Sequence, residues 1–391
     1  MSQDIGFAVV GLGMGRHHCH AIKNAPGARL VAVCDVDEAR LQPAAEKFQC
    51  KAYNDFATML RDPEVQVVNI ATPSGMHAAM GIQAAKAGKH LIVEKPADIL
   101  PERVDKLLAV TKRCGVKVGC IFQSRLDPLN LAIRDAIQSG RLGRLIGIHG
   151  HLPWYRKQNY YEGPHGSWKA TWAMDGGGSL MNQGVHTVDL LQWLGGPVAA
   201  VCGYYGVFAH QIEAEDQTVA LLKFANGALG TLYTTTCAFP GLEQQVTIYG
   251  ERGTIMKDSA ALLAWKLPGE QADAEEKQML ARFGKPEQRQ GVAADPMAVS
   301  SDGHTQIIAD LVQAIREDRP PMIGLESARH AVEIINAIFT AARTGREVRL
   351  GGQAKRAAAK APAKAKPAAK SARKRAASAK RPARAPAARR K

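Results

Sequence analysis

Long apolar runs are absent from this 391-residue chain, and aromatic residues make up only 6% of it. No stretch approaches the ~20 apolar residues that a helix needs to cross a bilayer. The first residues, Met1 to Asp4, also lack the basic start that is typical of a secretory leader. We therefore expect a soluble protein of the cytoplasm.

Cysteines in a pairing pattern are also missing. The seven cysteines are odd in number, form no C-x-x-C pair and are scattered through apolar segments. This argues against a disulfide framework and indicates thiols kept in a reducing compartment. The cluster His17-His18-Cys19-His20 has the composition of a metal site, but neighbouring residues on a helix point in different directions. We therefore predict no metal.

Acidic residues are absent from the C-terminal segment. Residues 353–391 hold fifteen Lys and Arg, so the formal net charge of +15 belongs to this segment and residues 1–352 are neutral overall. The rest of the segment is mainly Ala and Pro, which cannot bury enough apolar area to fold, and we predict a disordered basic tail over 351–391. The folded part has no basic excess that would indicate a nucleic-acid-binding domain.

The chain alternates short strand-like segments with helix-length segments, and this alternation predicts an α/β protein. Before Phe122, nearly continuous apolar strands alternate with helix-length segments, a pattern typical of a parallel sheet covered on both faces. We predict a six-stranded, doubly wound Rossmann domain over residues 1–122. The segments that can be delimited are strands at 7–10, 30–34, 65–71, 90–93 and 116–122 and helices at 39–48, 77–87 and 104–114.

After Phe122, strands recur without long helices between them, and the turns Asn226-Gly227 and Gly250-Glu251-Arg252-Gly253 indicate hairpins. We predict an α+β domain over residues 123–350 with a large open, mainly antiparallel sheet, and a long loop over 268–300. The predicted strands are 145–152, 198–207, 218–224, 229–236, 246–249 and 254–256, and the predicted helices are 128–139, 180–194, 305–317 and 326–343.

The turn Gly11-Leu12-Gly13-Met14-Gly15 follows the first strand directly and precedes a helix. Glycines let backbone N–H groups approach a pyrophosphate at a helix N-terminus, although the third glycine comes one position earlier than in the usual fingerprint. Asp35 ends the second strand twenty residues after Gly15. Its carboxylate can accept hydrogen bonds from the adenosine ribose and repel a 2′-phosphate, which favours NAD over NADP.

Two further segments, Ala71-Thr72-Pro73 and Glu94-Lys95-Pro96, follow parallel strands at their carboxyl ends. Ligands of open α/β sheets bind at these ends. Pro96 keeps Lys95 extended, and a position beside the nicotinamide favours a functional lysine over a solvated one.

The glycine-rich segment 175–189 leads into a helix that places Asn182, His186 and Asp189 on one stripe. A histidine with a carboxylate one turn later can be held in a fixed tautomer, as a general acid/base requires. We therefore predict that His186 is catalytic and is oriented by Asp189.

Six aromatic residues of the second domain could stack on a sugar or nucleobase, or could pack a subunit edge. They are Trp154, Tyr155, Tyr160, Tyr161, Trp168 and Trp172. His304 opens a late helix, and we interpret it as a neighbour of the helix cap rather than a ligand.

Taken in order, the glycine turn 11–15, the triplet 94–96 and the segment 176–189 resemble the Gfo/Idh/MocA family of oxidoreductases over about residues 5–350. Further stretches similar to the family are 71–77, 88–90, 140–143, 226–230 and 250–254. The resemblance implies NAD(P)-dependent hydride transfer to or from a hydroxyl carbon of a sugar, sugar acid, nucleotide sugar or polyol. It also implies homo-oligomers formed through the open sheet.

The same resemblance assigns roles to residues. The lysine of the family's E-K-P motif, here Lys95, lies near nicotinamide and substrate, and the histidine of the glycine-rich segment, here His186, carries the proton. Many members have Asp where this chain has Asn182. An amide cannot relay a proton, so we expect Asn182 to bind substrate. Some members with Asn act on nucleotide-sugar acids, and segments 160–172 and 212–216 are similar to theirs.

The expected site is therefore as follows. Lys95, His186 and Asn182 form the catalytic group. The expected cofactor-binding residues are Gly11, Gly13, Met14, Gly15, Asp35, Ala71, Thr72, Pro73, His77, Glu94, Lys95 and Gln123. The expected substrate-binding residues are Lys95, Tyr155, Arg156, Trp172, Asn182 and His186.

Two alternatives remain open. A dinucleotide fold does not by itself prove turnover, so the chain could be a catalytically idle NAD sensor or scaffold. The tail resembles histone-like tails that bind DNA, RNA or polyphosphate through counterion release, or it could be a solvated extension.

Overall fold

The computed structural model describes residues 3–259, 261–284 and 302–351. Its first part is a six-stranded parallel sheet with strand order β3-β2-β1-β4-β5-β6. The strands are β1 (Ile5–Val10), β2 (Ala28–Cys34), β3 (Lys51–Tyr53), β4 (Val67–Ile70), β5 (His90–Val93) and β6 (Val118–Cys120). This order confirms the predicted Rossmann sheet and places the carboxyl ends of β1, β4 and β5 side by side.

Helices cover both faces of this sheet because its strands are apolar on both sides. They are α1 (Gly15–Asn24), α2 (Glu38–Phe48), α3 (Phe56–Leu60), α4 (His77–Lys86) and α5 (Pro101–Cys114). Local signals set several of their ends. Asp37 caps α2 by accepting the N–H of Ala39, and α5 begins at a proline and ends at Gly115 in the left-handed region.

The second part is an eight-stranded sheet with strand order β13-β12-β11-β7-β10-β9-β8-β14. Its strands are β7 (Leu145–Pro153), β8 (Val198–Gly206), β9 (Gln217–Phe224), β10 (Leu229–Thr235), β11 (Gln245–Gly250), β12 (Gly253–Asp258), β13 (Ala261–Lys266) and β14 (Val348–Arg349). The β7–β10 pair is parallel and the others are antiparallel. The mainly antiparallel sheet and both predicted hairpins are thus confirmed.

One face of this sheet is covered and the other is open. The remaining helices are α6 (Pro128–Gln138), α7 (Gly163–Gly166), α8 (Val185–Gly195), α9 (Ala272–Phe283), α10 (Asp302–Arg316) and α11 (Leu325–Thr344). Helix α8 packs on β7 and α11 packs on β8. Side chains of strand β9 therefore alternate in exposure. Ala220 and Leu222 are buried under the helices, while Val219 and Leu221 are exposed on the other face.

The last two helices also contact the first sheet. Helix α10 packs on α1 and α11 on α5, and the N–H of Cys120 in β6 donates to the carbonyl of Ile323 at 2.9 Å. The chain after residue 122 therefore builds the second sheet and then packs against the Rossmann sheet. In the part of the chain that the structure describes, no helix is long and apolar enough to cross a membrane.

Three expectations about elements need correction. The segment 268–300 was expected to be a loop, but its described part contains α9, which has no fully buried residue and packs on the core through Met279, Leu280 and Phe283. The single helix expected over 180–194 is a π-helical turn, Ser179–Gln183, followed by α8. No strand had been delimited at the positions of β3, β13 and β14. Apart from the exposed Gly351, the predicted tail lies outside the described residues.

Candidate active site

A cleft of about 1730 Å³ lies at the carboxyl ends of the parallel strands and extends to the second sheet. Its walls include the glycine turn, the segments after β4 and β5, the π-helical turn and the loop 154–169. Most of the predicted site residues converge here, although they come from separate parts of the chain. This is the edge at which ligands of open α/β sheets bind.

The glycine turn brings backbone close to backbone. Gly11 has φ +86°, and a Cβ there would lie 2.6 Å from the carbonyl oxygen of Ala71. Helix α1 begins just after the turn and no side chain caps its N-terminus, so its first N–H groups are available to a phosphate. Gly15 is an exception, because it is buried and a Cβ there would meet Val9 at 2.8 Å. Gly15 therefore allows the helix to pack closely on β1, and its expected cofactor-binding role, through the backbone N–H at the start of α1, stays a prediction.

Asp35 lines the cleft at the end of β2 and also holds the glycine turn. One carboxylate oxygen accepts the N–H of Leu12 at 2.7 Å and the other accepts that of Asp37 at 3.0 Å. The position suits a ribose diol, and the negative charge disfavours a 2′-phosphate.

Further cleft residues supply polar atoms for a dinucleotide. The Thr72 hydroxyl and the Gln123 carbonyl oxygen are buried without a hydrogen-bond partner among the described residues, which is costly unless a ligand pairs with them. His77 joins two neighbouring segments, since its ring nitrogens lie 2.7 Å from the carbonyl oxygen of Pro96 and 2.8 Å from that of Thr72. Together with the turn and Asp35, these groups fit NAD.

Lys95 is held inside the cleft. Its peptide bond to Pro96 is cis, and its Nζ donates to the backbone carbonyl of Asn182 at 2.8 Å. Burial lowers the pKa of Lys95 below its ordinary value, and the charges of Glu94 and Asp175 partly oppose that effect. The lysine therefore bridges the Rossmann domain and the π-helical turn.

Asn182 is bound to a buried carboxylate that was not predicted to belong to the site. Its Nδ2 donates to both oxygens of Asp175, at 2.8 and 2.9 Å. Burial raises the pKa of Asp175 to about 6, while hydrogen bonds from Ala170 and Asn182 act in the opposite direction. This geometry directs the Asn182 amide group and leaves its carbonyl oxygen for another donor.

His186 lines the cleft at the start of α8, and its Nδ1 has no hydrogen-bond partner among the described residues. Burial and the charge of Lys95 lower the pKa of His186 to about 3, so its ring is neutral at pH 7. The two predicted catalytic groups therefore interact electrostatically, as a shared site requires.

The expectation that Asp189 orients His186 is wrong. Asp189 forms a buried, bidentate ion pair with Arg125. The π-helical turn and the break at Gly184 separate Asn182 from the helical stripe, and Asp189 faces the segment before α6 instead of the cleft. Periodicity alone could not reveal Arg125 as the partner, 64 residues away in the chain.

Glu94 anchors a buried cluster that the sequence did not predict. Its Oε1 lies 2.9 Å from His18 Nε2 and 3.4 Å from His304 Nε2, while its Oε2 accepts the N–H of Lys95. Burial opposes ionisation of Glu94, but the hydrogen bonds from the two rings hold its pKa well below the ordinary value. His304 is thus part of this buried cluster rather than a cap neighbour, and the cluster positions Lys95.

This cluster also has the composition of a metal site, since the three ligand atoms lie within 4.8 Å of one another. Asn69 Nδ2 donates to His18 Nδ1 at 3.1 Å, which leaves the His18 proton on Nε2, facing Glu94. The carboxylate is already paired with N–H donors, and the absence of a metal stays a prediction.

The aromatic residues divide into two groups. Trp154, Tyr160 and Trp168 line the cleft together with Arg156 and Lys169. Lys169 Nζ lies 3.6 Å from the centre of the Tyr160 ring, and the Arg156 guanidinium lies 5.0 Å from that of Trp154. We call these five residues the cationic wall of the cleft.

Tyr155 and Trp172 were expected to bind substrate, but in this chain they do not line the cleft. Trp172 packs edge-on against Phe339, 5.1 Å between ring centres, and Tyr155 packs against Phe239 at 5.2 Å. Tyr161 likewise packs inward, its hydroxyl donating to Thr236. Their side chains stabilise the domain, whereas Arg156 next to Tyr155 does reach the cleft.

Comparison with known proteins agrees with this geometry. The model described as "Oxidoreductase family, NAD-binding Rossmann fold" matches residues 5–122, and the "GFO/IDH/MocA C-terminal domain" model matches residues 130–256. The chain belongs to the Gfo/Idh/MocA family. It is an NAD-dependent oxidoreductase that acts on CH–OH groups.

Among its Gfo/Idh/MocA relatives, inositol 2-dehydrogenase of Rubrobacter xylanophilus is 30% identical over 65% of this chain and 71% of the relative. Myo-inositol 2-dehydrogenase of Thermotoga maritima is 25% identical over 88% of this chain and 97% of the relative. A solved structure of the WlbA dehydrogenase from Bordetella pertussis, in complex with NADH and UDP-GlcNAcA, is 30% identical with a TM-score of 0.77. That match covers 90% of this chain and all of the other.

Several site residues of this Gfo/Idh/MocA member were missed from the sequence. Asp175 lies in the glycine-rich segment 175–189 and Lys169 in the segment 160–172, but the sequence assigned neither residue a role in the site. Glu215 is fully buried and accepts the N–H groups of Gly178, Ser179 and Leu180, so it holds the turn that carries Asn182. The sequence showed only that Glu215 is an acidic residue inside a segment similar to the family. It could not show that Glu215 binds backbone groups 35 to 37 residues earlier in the chain.

Proposed function

We propose that Lys95 and His186 carry out the hydride-transfer chemistry of this enzyme on a hydroxyl carbon. NAD, when bound at the glycine turn, supplies the hydride acceptor. His186 accepts the hydroxyl proton, because burial and the nearby Lys95 keep its ring neutral. Lys95 stabilises the negative charge that develops on the oxygen. The Asn182 carbonyl oxygen accepts a hydrogen bond from a neighbouring hydroxyl.

The substrate that the cleft fits best is an anionic sugar, namely a nucleotide-linked sugar acid. The observation that carries this proposal is the cationic wall, which adds Arg156 and Lys169 to the charge of Lys95 within one cleft. Among the charges that reach Lys169, Asp175 attracts it, whereas Arg156, Arg40 and Lys95 repel it, and a bound anion would offset that repulsion. The aromatic rings of the wall provide surfaces on which a sugar or base can stack. The WlbA complex supports the same class of ligand.

A substrate comparison tests this proposal. We expect NAD reduction with UDP-GlcNAcA and a kcat/KM at least tenfold higher than with myo-inositol. Lys169→Gln should raise the KM for UDP-GlcNAcA about tenfold, the size expected when a charge-assisted hydrogen bond is lost, and leave the KM for myo-inositol unchanged. Burial lowers the pKa of Lys169 to about 8, so affinity for the anion should fall as the pH rises through 8. Faster turnover of the neutral polyol would contradict the anionic substrate class.

We also propose that the enzyme forms a homo-oligomer through the open face of the second sheet, which exposes Val219, Leu221 and Leu229.

All seven cysteines are free thiols, which supports a reducing compartment such as the cytoplasm. Residues 353–391 carry fifteen cations, and we propose that they bind a polyanion such as DNA, RNA or polyphosphate. Retention of a DNA fragment by the full chain but not by residues 1–352, with loss of retention at high salt, tests that role.

A further inference from the structure

His210 lies in the connection between β8 and β9, with its side chain only 4% exposed. Its Nδ1 is 3.1 Å from Asp216 Oδ2, and its Nε2 is 2.8 Å from the backbone carbonyl oxygen of Arg156. A carboxylate and a carbonyl oxygen can only accept hydrogen bonds. A neutral imidazole has one N–H and satisfies one of them, whereas the imidazolium satisfies both.

Asp216 is the counter-charge for this ring. Its side chain is buried, and it accepts the N–H groups of Phe208, Ala209 and His210 in addition to the ring nitrogen. Burial opposes ionisation of Asp216, but these hydrogen bonds hold its pKa well below the ordinary value. The carboxylate therefore stays charged across the range in which a histidine titrates.

Among the residues that the structure describes, the other titratable side chains in contact with His210 are Cys237 and Tyr161, and both are neutral near pH 7. Cys237 Sγ lies 3.8 Å from Nδ1, and the Tyr161 ring packs edge-on at 5.0 Å. Burial raises the pKa of Cys237 to about 11, and burial also raises the pKa of Tyr161 above its ordinary value. The hydrogen bond that the His210 ring donates to Asp216 raises the pKa of His210, outweighing the opposing effect of burial, and the bond to the Arg156 carbonyl adds to the shift.

The second hydrogen bond of His210 reaches the cationic wall. The N–H of Arg156 donates to Thr236 at 2.8 Å, so the backbone of Arg156 is held on one side by the sheet and on the other by His210. The guanidinium of the same residue lies over the rings of Trp154 and Tyr160 in the cleft. The backbone carbonyl of this arginine is therefore bound by a histidine that does not line the cleft.

We propose that His210 is a positioning residue: its imidazolium joins the 208–216 turn to the backbone of Arg156 and so sets the affinity of the cleft for the anionic part of the substrate. The inference rests on the proposed function, because it assigns control of anion binding to that site. A neutral ring gives up one of its two bonds, so affinity for the anion falls as the pH rises through the pKa of His210. Lys95 and His186 are not involved, and kcat should change little.

The variant His210→Gln tests the role, with His20→Gln on the exposed surface of α1 as the matched control. At pH 6 we expect His210→Gln to raise the KM for UDP-GlcNAcA about tenfold, with kcat within about twofold of the parent, because one charge-assisted hydrogen bond is lost. Between pH 6 and 9 the parent's KM should rise more steeply than the variant's. The His20→Gln variant should follow the parent throughout.

Two further measurements distinguish the role of His210 from the titration of Lys169 and from the identity of the substrate. Burial lowers the pKa of Lys169 to about 8, inside the pH interval of the measurement, so the His210-dependent part of the pH profile must persist in a Lys169→Gln background. Titration of the NADH-saturated enzyme with UDP gives the anion affinity even when UDP-GlcNAcA is not turned over. A result in which His210→Gln changes neither the UDP affinity nor its pH dependence would overturn the inference and leave the proposed function intact.

The protonation state can be observed directly. ¹⁵N spectra of the histidine rings, assigned by comparison with His210→Gln, should show both nitrogens of His210 protonated at pH 6. A neutral His210 at that pH would overturn the positioning role whatever the substrate is. Failure of UDP-GlcNAcA turnover together with an intact imidazolium and a His210-dependent UDP affinity would instead contradict the proposed substrate.

Discussion

At the scale of single residues, the proposed chemistry depends on Lys95 and His186, which the fold brings into one cleft. The sequence indicated both, because one follows a parallel strand and the other follows a glycine-rich entry to a helix. It could not indicate their environment, since the Lys95 Nζ is held by a backbone carbonyl of the π-helical turn. Asn182 shows the same limit. The sequence showed that an amide stands at this position, but only the fold showed that its partner is Asp175.

Replacing His186 by Asn should lower kcat by ~10² to 10⁴, the usual contribution of a general acid/base, with NADH affinity retained. Lys95→Ala should also lose turnover while NADH still binds. Steady-state kinetics and NADH fluorescence titration measure the two effects separately. An unchanged kcat for His186→Asn would reject its proton-carrying role, and unfolding of Lys95→Ala without a specific loss of turnover would indicate a structural lysine.

At the scale of elements, the site depends on a turn whose shape periodicity could not predict. Apolar spacing over 180–194 is that of one helix, but a Cβ at Gly178 would lie 1.9 Å from the carbonyl oxygen of Glu215. The turn therefore fits closely against the start of β9, and the chain winds as a π-helical turn before α8 begins. The glycines were visible in the sequence, whereas the surface that they approach was not.

Glu215→Gln tests this element. The carboxylate oxygens accept three backbone N–H groups and the Ser179 hydroxyl, and an amide would turn an N–H group toward some of these donors. We expect a loss of about 1–3 kcal/mol in the free energy of unfolding and a lower kcat, because the turn carries Asn182. Denaturant unfolding measures the first effect. Glu213→Gln, an exposed change two residues away, is the control, and equal stability of the two variants would contradict the anchoring role.

At the scale of the whole molecule, the sequence predicted the two sheets but not how they are connected. Parallel strands were recognisable because both of their faces are apolar. The parallel pairing of β7 with β10 was not, since a long stretch of chain separates them. Helix α9 was missed because none of its residues is fully buried, although Met279, Leu280 and Phe283 pack against the core and Glu275 contacts Trp265 and Arg141.

The open face of the second sheet leads to the last prediction, on assembly. Leu221 is 59% exposed in the middle of β9, beside Val219 and facing Cys202 and Thr231 on the neighbouring strands. Apolar side chains exposed on a broad, ordered sheet are stabilised when a second copy covers them, and most soluble assemblies are homo-oligomers of this kind. A charge introduced there would be buried without a partner at such an interface. Leu221→Lys should therefore shift the mass measured by light scattering toward the monomer, whereas Met322→Lys, an equally exposed apolar position outside the sheet, should leave it unchanged. If both variants keep the mass of the parent, the sheet face is not the interface.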